Sequence, residues 1–232
     1  GGEARGYLDQ RIFDNVAAQI VDAQSMRFSM LKITLVSSAA IQEGRERMEE
    51  LGIEADHLEK KGLAAIGARH LLNRWGNAFA VHDREVGQVW VTHANWKNRS
   101  EWRNIHRTIL QFHNAGIIPI VNENDVVSDR EVRSMERGMS ENDRLARMIA
   151  CRIHADAILF VTNVATIKKL LRAPFTASSN GSGGMQAKLI EATKCFQAGM
   201  RVAIAGMGDG VIKGLVNDYE VGTRISTSMS FY

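Results

Sequence analysis

The chain has 232 residues, a formal net charge of +3, and 45% hydrophobic and 24% charged residues, an ordinary composition for a soluble protein able to bury a substantial core. No apolar run is long enough to cross a bilayer and no signal-peptide pattern is present, which predicts a cytoplasmic protein with no membrane partner. Basic residues alternate with acidic ones, as in 99–107 and 130–137, the pattern of a solvated helix face and not of a nucleic-acid surface.

Chemistry based on cysteine or a protein-bound metal is equally poorly supported. Cys151 and Cys195 stand alone in helical patterns, with no CxxC pair. The seven histidines show no HxH or HExxH spacing, so no metal site is expected.

In chain order, Leu8 to Ala23 carries apolar residues at Ile12, Phe13, Val16, Ile20 and Val21, an amphipathic helix. Lys32 to Val36 reads as a short buried strand. It ends in Ser37-Ser38-Ala39-Ala40, where two hydroxyls could meet a ligand or simply cap the charged helix that runs to about Glu50. His57 to Trp75 reads as one long helix with Leu63, Ile66, Leu71 and Leu72 inward, and Gly87 to Thr92 as a second strand. A helix follows from about Trp102 to Asn114. Trp90, Trp96 and Trp102 fall on a strand, a loop and a helix, which favours packing over a ligand box.

Gly116 to Val121 is wholly apolar, as expected of a strand covered on both faces. It ends in Asn122-Glu123-Asn124-Asp125, at the end of a strand where α/β proteins bind ligands, though a turn would use the same residues. Residues 126–139 form a charged excursion. Ser140-Glu141-Asn142-Asp143 opens a helix to Ile153, and helix capping competes there with a catalytic role. Ala155 to Thr162 and Met200 to Ala205 are further strands. Gly206-Met-Gly-Asp-Gly210 does not match GxGxxG and leads to a short helix, after which Val221 to Ile225 closes the pattern.

The most informative stretch is Ser179-Asn-Gly-Ser-Gly-Gly-Met-Gln-Ala-Lys188, which runs straight into a helical apolar pattern. A helix starting there would point unpaired N–H groups and its positive dipole end at an anion, with Lys188 close behind. A flexible turn that merely starts a helix explains the same glycines. Strands alternating with helices predict an α/β fold with a mainly parallel sheet, whose polar strand ends share one edge. Those glycines, hydroxyls, carboxamides, carboxylates and a lysine suit phosphoryl transfer.

The succession Val36-Ser-Ser-Ala-Ala-Ile41, Pro119-Ile-Val-Asn-Glu-Asn-Asp125, Glu141-Asn-Asp143 and Gly181-Ser-Gly-Gly-Met-Gln-Ala-Lys188 resembles the glutamate 5-kinase family of the amino acid kinase superfamily. Ala64-Ala-Ile-Gly67, Gln88-Val-Trp-Val-Thr92 and Val221-Gly-Thr223 agree in character. The resemblance implies a three-layer α/β/α sandwich with a mainly parallel central sheet. Residues 1–232 would form one domain, with a first strand expected before residue 1 and no C-terminal PUA domain.

It further implies transfer of phosphate from ATP, accompanied by Mg²⁺, to the side-chain carboxylate of L-glutamate, the first step of proline synthesis, in a homo-oligomer (dimer or tetramer). Carried over by motif, Lys188 would stabilise the phosphate in flight and Asp143 would orient that lysine. Ser38, Asp125 and Asn142 would hold the substrate. Thr162, Asn163, Ser182, Gly183, Gly184 and Met185, with Lys188, would contact the nucleotide. The family's glycine after Ser38 is Ala39 here, and its two aspartates after Thr162 are Asn163 and Ala165. Two further readings therefore stand beside the first: a superfamily member with another phosphoryl acceptor, and a nucleotide-binding relative without turnover.

Overall fold

The computed structural model describes residues 9–26, 31–92, 94–127, 141–162, 182–206, 208, 210–217 and 222–225. Asn163, the opening glycines 1–2, loop residues 179–181 and the charged excursion from residue 128 onward lie outside them. Contacts divide the chain into a first unit, Gly1–Val21 with Lys32–Asp129, and a second, Asp22–Leu31 with Arg130–Tyr232.

In the first unit, β1 (Leu35–Val36), β2 (Val86–Val91) and β3 (Ile118–Glu123) form a parallel sheet in the order β1-β3-β2. All six residues of β3 are buried, as its apolar sequence predicts for a central strand. The strand extends two residues further than its apolar run. Asn122 and Glu123 belong to it, and the Asn122 side chain accepts from the Glu123 N–H at 2.9 Å.

β1 is shorter than the Lys32 to Val36 expected, and Pro119 explains why. With Leu35 opposite Ile120, and Ser37 N–H donating to the Val121 carbonyl at 3.0 Å, the ladder donor for the Ile33 carbonyl falls at Pro119. Proline has no N–H to give. His113 Nε2 lies 3.2 Å from that carbonyl and 3.0 Å from Thr34 Oγ1. A nitrogen bonded to a carbonyl must donate, so Nε2 carries the proton, and burial, which pushes the His113 pKa down, favours the neutral form of that ring.

Helices α1 (Gln10–Met26), α2 (Ala40–Glu50), α3 (Lys60–Ala80) and α4 (Arg99–Asn114) complete this part of the chain. α3 begins later than predicted, because Ala55–His57 forms a separate 3₁₀ turn, and it runs on to Ala80. α4 starts at Arg99, where the Asn98 side chain accepts from the Ser100 and Glu101 N–H groups at 3.0 and 3.3 Å. Phe13 meets Trp75 edge-on at 4.7 Å, while Ile12 is exposed. Trp96 stacks on Trp102 at 4.9 Å, which is packing as expected, and Trp90 lies exposed.

In the second unit, β4 (Ala157–Val161) and β5 (Arg201–Ala205) pair in parallel and β6 (Thr223–Arg224) adds antiparallel to β5. Helices α5 (Glu141–Arg152), α6 (Ser182–Gln197) and α7 (Val211–Val216) accompany them. Ala150, Phe160, Met185, Ala192, Cys195, Val202 and Ile204 share one core. Burial pushes the Cys195 thiol up to about 12, so it serves as a small packing residue. Among the described residues, every strand pairing except β5–β6 is parallel, as the alternating pattern predicts.

α2 and α3 approach unusually closely. A Cβ on Gly44 would lie 1.9 Å from the Leu63 carbonyl oxygen, and one on Gly67 would lie 1.7 Å from that of Ala40. Neither position admits a side chain. The Ala40 end of α2 is thereby pinned against α3, and Ala39 enters the helix at φ 84°, in the left-handed region. That backbone costs a non-glycine residue ~1–2 kcal/mol. Glycine would relieve it but give back ~0.4–1 kcal/mol through unfolded-chain entropy. Ala39→Gly should therefore stabilise the protein by up to ~1.6 kcal/mol, seen as a higher urea midpoint at unchanged slope.

Candidate functional site

In the first unit, parallel pairing of β1 with β3 sets Val36 opposite Val121, so the residues after both strands emerge at one edge of the sheet. Ser37 and Ser38 follow β1 there, and Asn124 and Asp125 follow β3. The two serines separate cleanly. Ser37 is buried and its hydroxyl accepts from the Trp75 indole N–H at 2.9 Å, so only exposed Ser38 is available to a ligand. Asp125 is buried, and the Asn124 N–H is tied to the Val91 carbonyl at 2.8 Å, which fixes the turn that carries it.

In the second unit, α5 and α6 precede β4 and β5, so their N-termini lie at the edge where those strands end. α6 does begin at the glycine run, with Gly183 and Gly184 in its first turn. Asn142 and Asp143 fall in the first turn of α5. The Lys188 ammonium donates to Asp143 Oδ1, with the lysine side chain 14% and the aspartate 9% exposed. The structure thus brings these two expected residues into contact. Thr162 follows β4, its N–H bonded to the Ala205 carbonyl at 2.9 Å. The Met185 side chain is built into the core, so only its main chain is available to a ligand.

Four further residues lie against or beside this pair and were not among those expected. Lys188 Nζ stands 5.5 Å from the centre of the Phe160 ring, a cation–π contact from the strand beneath it. Arg147 donates to Glu191 one turn further along the two helices, and Lys194 reaches the same carboxylate at 2.6 Å. Arg147 and Glu191 could have been found from their spacing, four residues after Asp143 and three after Lys188. Phe160 could not, because an apolar strand residue looks the same whatever it faces. For Glu191, burial pushes the carboxyl up, but hydrogen bonds from Lys194 and Arg147 outweigh it and hold the pKa below the usual range.

A cleft of about 290 Å³ in the first unit is lined by Glu43, Glu46, Arg47, Glu50, His70 and Arg74 among others, none of them an expected site residue. Burial pushes Glu43 up, with Arg74 Nε 2.5 Å from its Oε1 opposing the shift. Arg74 pairs with Glu43 and Arg47 with Glu50, and we read the cleft as a solvated groove between helices.

Each unit is an α/β arrangement whose parallel strands end at one edge of its own sheet. The profile of the amino acid kinase family matches residues 1–206, and the chain belongs to that family. The glutamate 5-kinase of Myxococcus xanthus (strain DK1622) is 28% identical over 98% of this chain and 64% of its own length. That of Dehalococcoides mccartyi (strain CBDB1) is 33% identical over 97% of this chain and 65% of its own. The chain thus spans less than two thirds of the length of these relatives. Among solved structures, isopentenyl phosphate kinase matches 94% of this chain and 91% of its own at a TM-score of 0.57 and 15% identity. Carbamate kinase from Giardia lamblia bound to AMP-PNP matches 97% and 93% at 0.61 and 12%. At these identities the structures establish the fold alone.

Two outcomes test this geometry. Ser37→Ala should lose ~1–3 kcal/mol by stranding the Trp75 N–H, whereas Ser38→Ala should stay within ~0.5 kcal/mol, both read from urea melts. Because Glu191 has a lowered folded pKa, its contribution is present above its unfolded value of 4.5 and is lost as pH falls through the folded one. Glu191→Gln should lower stability at neutral pH and flatten the acid decline in melts taken from pH ~7 to ~3.

Proposed function

We propose that this chain transfers the γ-phosphate of ATP to the side-chain carboxylate of L-glutamate, giving glutamate 5-phosphate, as a cytoplasmic homo-oligomer. The observation that carries the reading is the Lys188–Asp143 pair behind the glycine-initiated N-terminus of α6. The similarity to glutamate 5-kinases over nearly the whole chain supports it and names the acceptor.

In this reaction a carboxylate oxygen of the acceptor attacks the γ-phosphorus. An O–P bond forms, the bond to the β–γ bridging oxygen breaks, and ADP leaves with the electron pair. The attacking carboxylate is already ionised, so no general base is needed. What the protein supplies is position and positive charge. The N–H groups of the first turn of α6 face the phosphates, with no side chain at Gly183 or Gly184 to hold them off. Lys188 neutralises the charge in flight, and Asp143 and Phe160 keep its ammonium in place. Thr162, at the end of β4, contacts the nucleotide. Ser38, Asp125 and Asn142 bind the acceptor, the Asp125 carboxylate taking its ammonium group. Among the described residues no group of three or more acidic, histidine or cysteine side chains could cage a metal. Magnesium would accompany the nucleotide and supply positive charge to its phosphates.

Ala39 favours a second reading, another acidic acceptor, since its methyl and left-handed backbone stand directly beside Ser38. One experiment decides both. The chain is given ATP, magnesium and hydroxylamine with glutamate or other dicarboxylates, and acyl phosphate is trapped as a hydroxamate. Glutamate should give hydroxamate, and Lys188→Ala should lower kcat by ~100- to 1,000-fold while the protein stays folded. Hydroxamate only from another acid moves the assignment to that acid, and none from any acid overturns the kinase reading.

A further inference from the structure

Asp143 and Arg147 are four residues apart on α5, and Lys188 and Glu191 three apart on α6, so each pair projects from one face of its helix. Lys188 donates to Asp143, and Arg147 Nε donates to Glu191 Oε2. The contacts advance in the same chain direction along both helices, as suits helices that precede the parallel strands β4 and β5. Their signs alternate, acid facing base and then base facing acid. A slip of one turn, ~5.4 Å, would set Arg147 against Lys188 or Asp143 against Glu191. Either way like charges would meet. Ala146 and Ala150 of α5 and Ala192 and Cys195 of α6 belong to the same core, and small side chains such as these define register weakly.

The geometry points to Arg147 and Glu191 as positioning residues: their ion pair fixes α5 against α6 and so holds the Lys188 ammonium on Asp143. Lys194 keeps the Glu191 carboxylate in place from its more exposed side. Neither Arg147 nor Glu191 needs to touch a phosphate. The inference rests on the reading of Lys188 as the phosphate-handling residue, but the register itself can be measured without turnover.

The test compares the full chain with Arg147→Met, Arg147→Lys and Glu191→Gln, each held well below its own Tm. Limiting acetic anhydride labels lysines, and mass spectrometry gives the acetylation of Lys188 relative to Lys213. Arg147→Met should raise Lys188 labelling severalfold, and Arg147→Lys should restore it towards the wild-type value. In the hydroxamate assay kcat should fall by roughly 10- to 100-fold in Arg147→Met, the scale of an ångström-sized misplacement, with KM for ATP little changed. Glu191→Gln keeps the side-chain shape and should show the same split, and it decides the matter should Arg147→Met fail to fold. Unchanged Lys188 labelling overturns the inference, as does raised labelling with unchanged kcat in an active enzyme. If the wild type turns over no acceptor, the kinase reading falls, while the labelling still decides whether this pair places Lys188.

Discussion

Parallel strand pairing is the constraint from which the placement of the polar residues follows. A parallel ladder brings the carboxyl ends of its strands to one edge and obliges each intervening helix to run back the other way. In the first unit this sets the residue after Val36 beside those after Val121. In the second it sets Thr162 after β4 on the edge where α5 and α6 begin. Residues far apart in sequence therefore meet without any need to recognise one another. A one-residue shift of β1 against β3 would turn Ser38 to the opposite face.

That economy concentrates difficult backbone at the strand ends. Ala39 accepts a left-handed conformation because α2 is drawn so close to α3 that Gly67 must leave room for the Ala40 carbonyl. Ser37 gives its hydroxyl to Trp75, and so anchors the loop to the core beneath it. The same packing buries Glu43 against Arg74, where desolvation raises the carboxyl pKa despite the guanidinium. Strain and buried charge collect around one short loop. The burial of α3 through Leu63, Leu71, Trp75 and Phe79 offsets both.

The sequence was most legible where burial alone decides structure. The apolar run before Asn122 could only be a covered strand, and the glycine run before Lys188 did start a helix. It was least legible where one side chain answers for another's backbone. Nothing local to Lys32–Val36 shows that its ladder fails, since the cause is a proline 86 residues on from Ile33 and the remedy is His113. Asn122 and Glu123 look like a turn until the burial of both side chains is known. At the site, Asp143 and Lys188 were readable from motif, whereas Phe160 depends on which way a strand faces.

The environment of Lys188 also decides how it can work. Its ammonium is largely buried against an equally buried carboxylate and an aromatic face. Removing one partner of such a pair costs ~3–5 kcal/mol, because the other charge is left buried and uncompensated. A lysine so held does not swing out to collect a phosphate. An ammonium has three N–H donors and Asp143 takes one, so the remaining two point along directions fixed by that bond. In the kinase reading the phosphate must therefore come to the lysine, and catalysis depends on how firmly α5 and α6 hold their register. In that reading the placing of the lysine depends on the packing of two helices, and the glycine run supplies the N–H groups that would meet the phosphates.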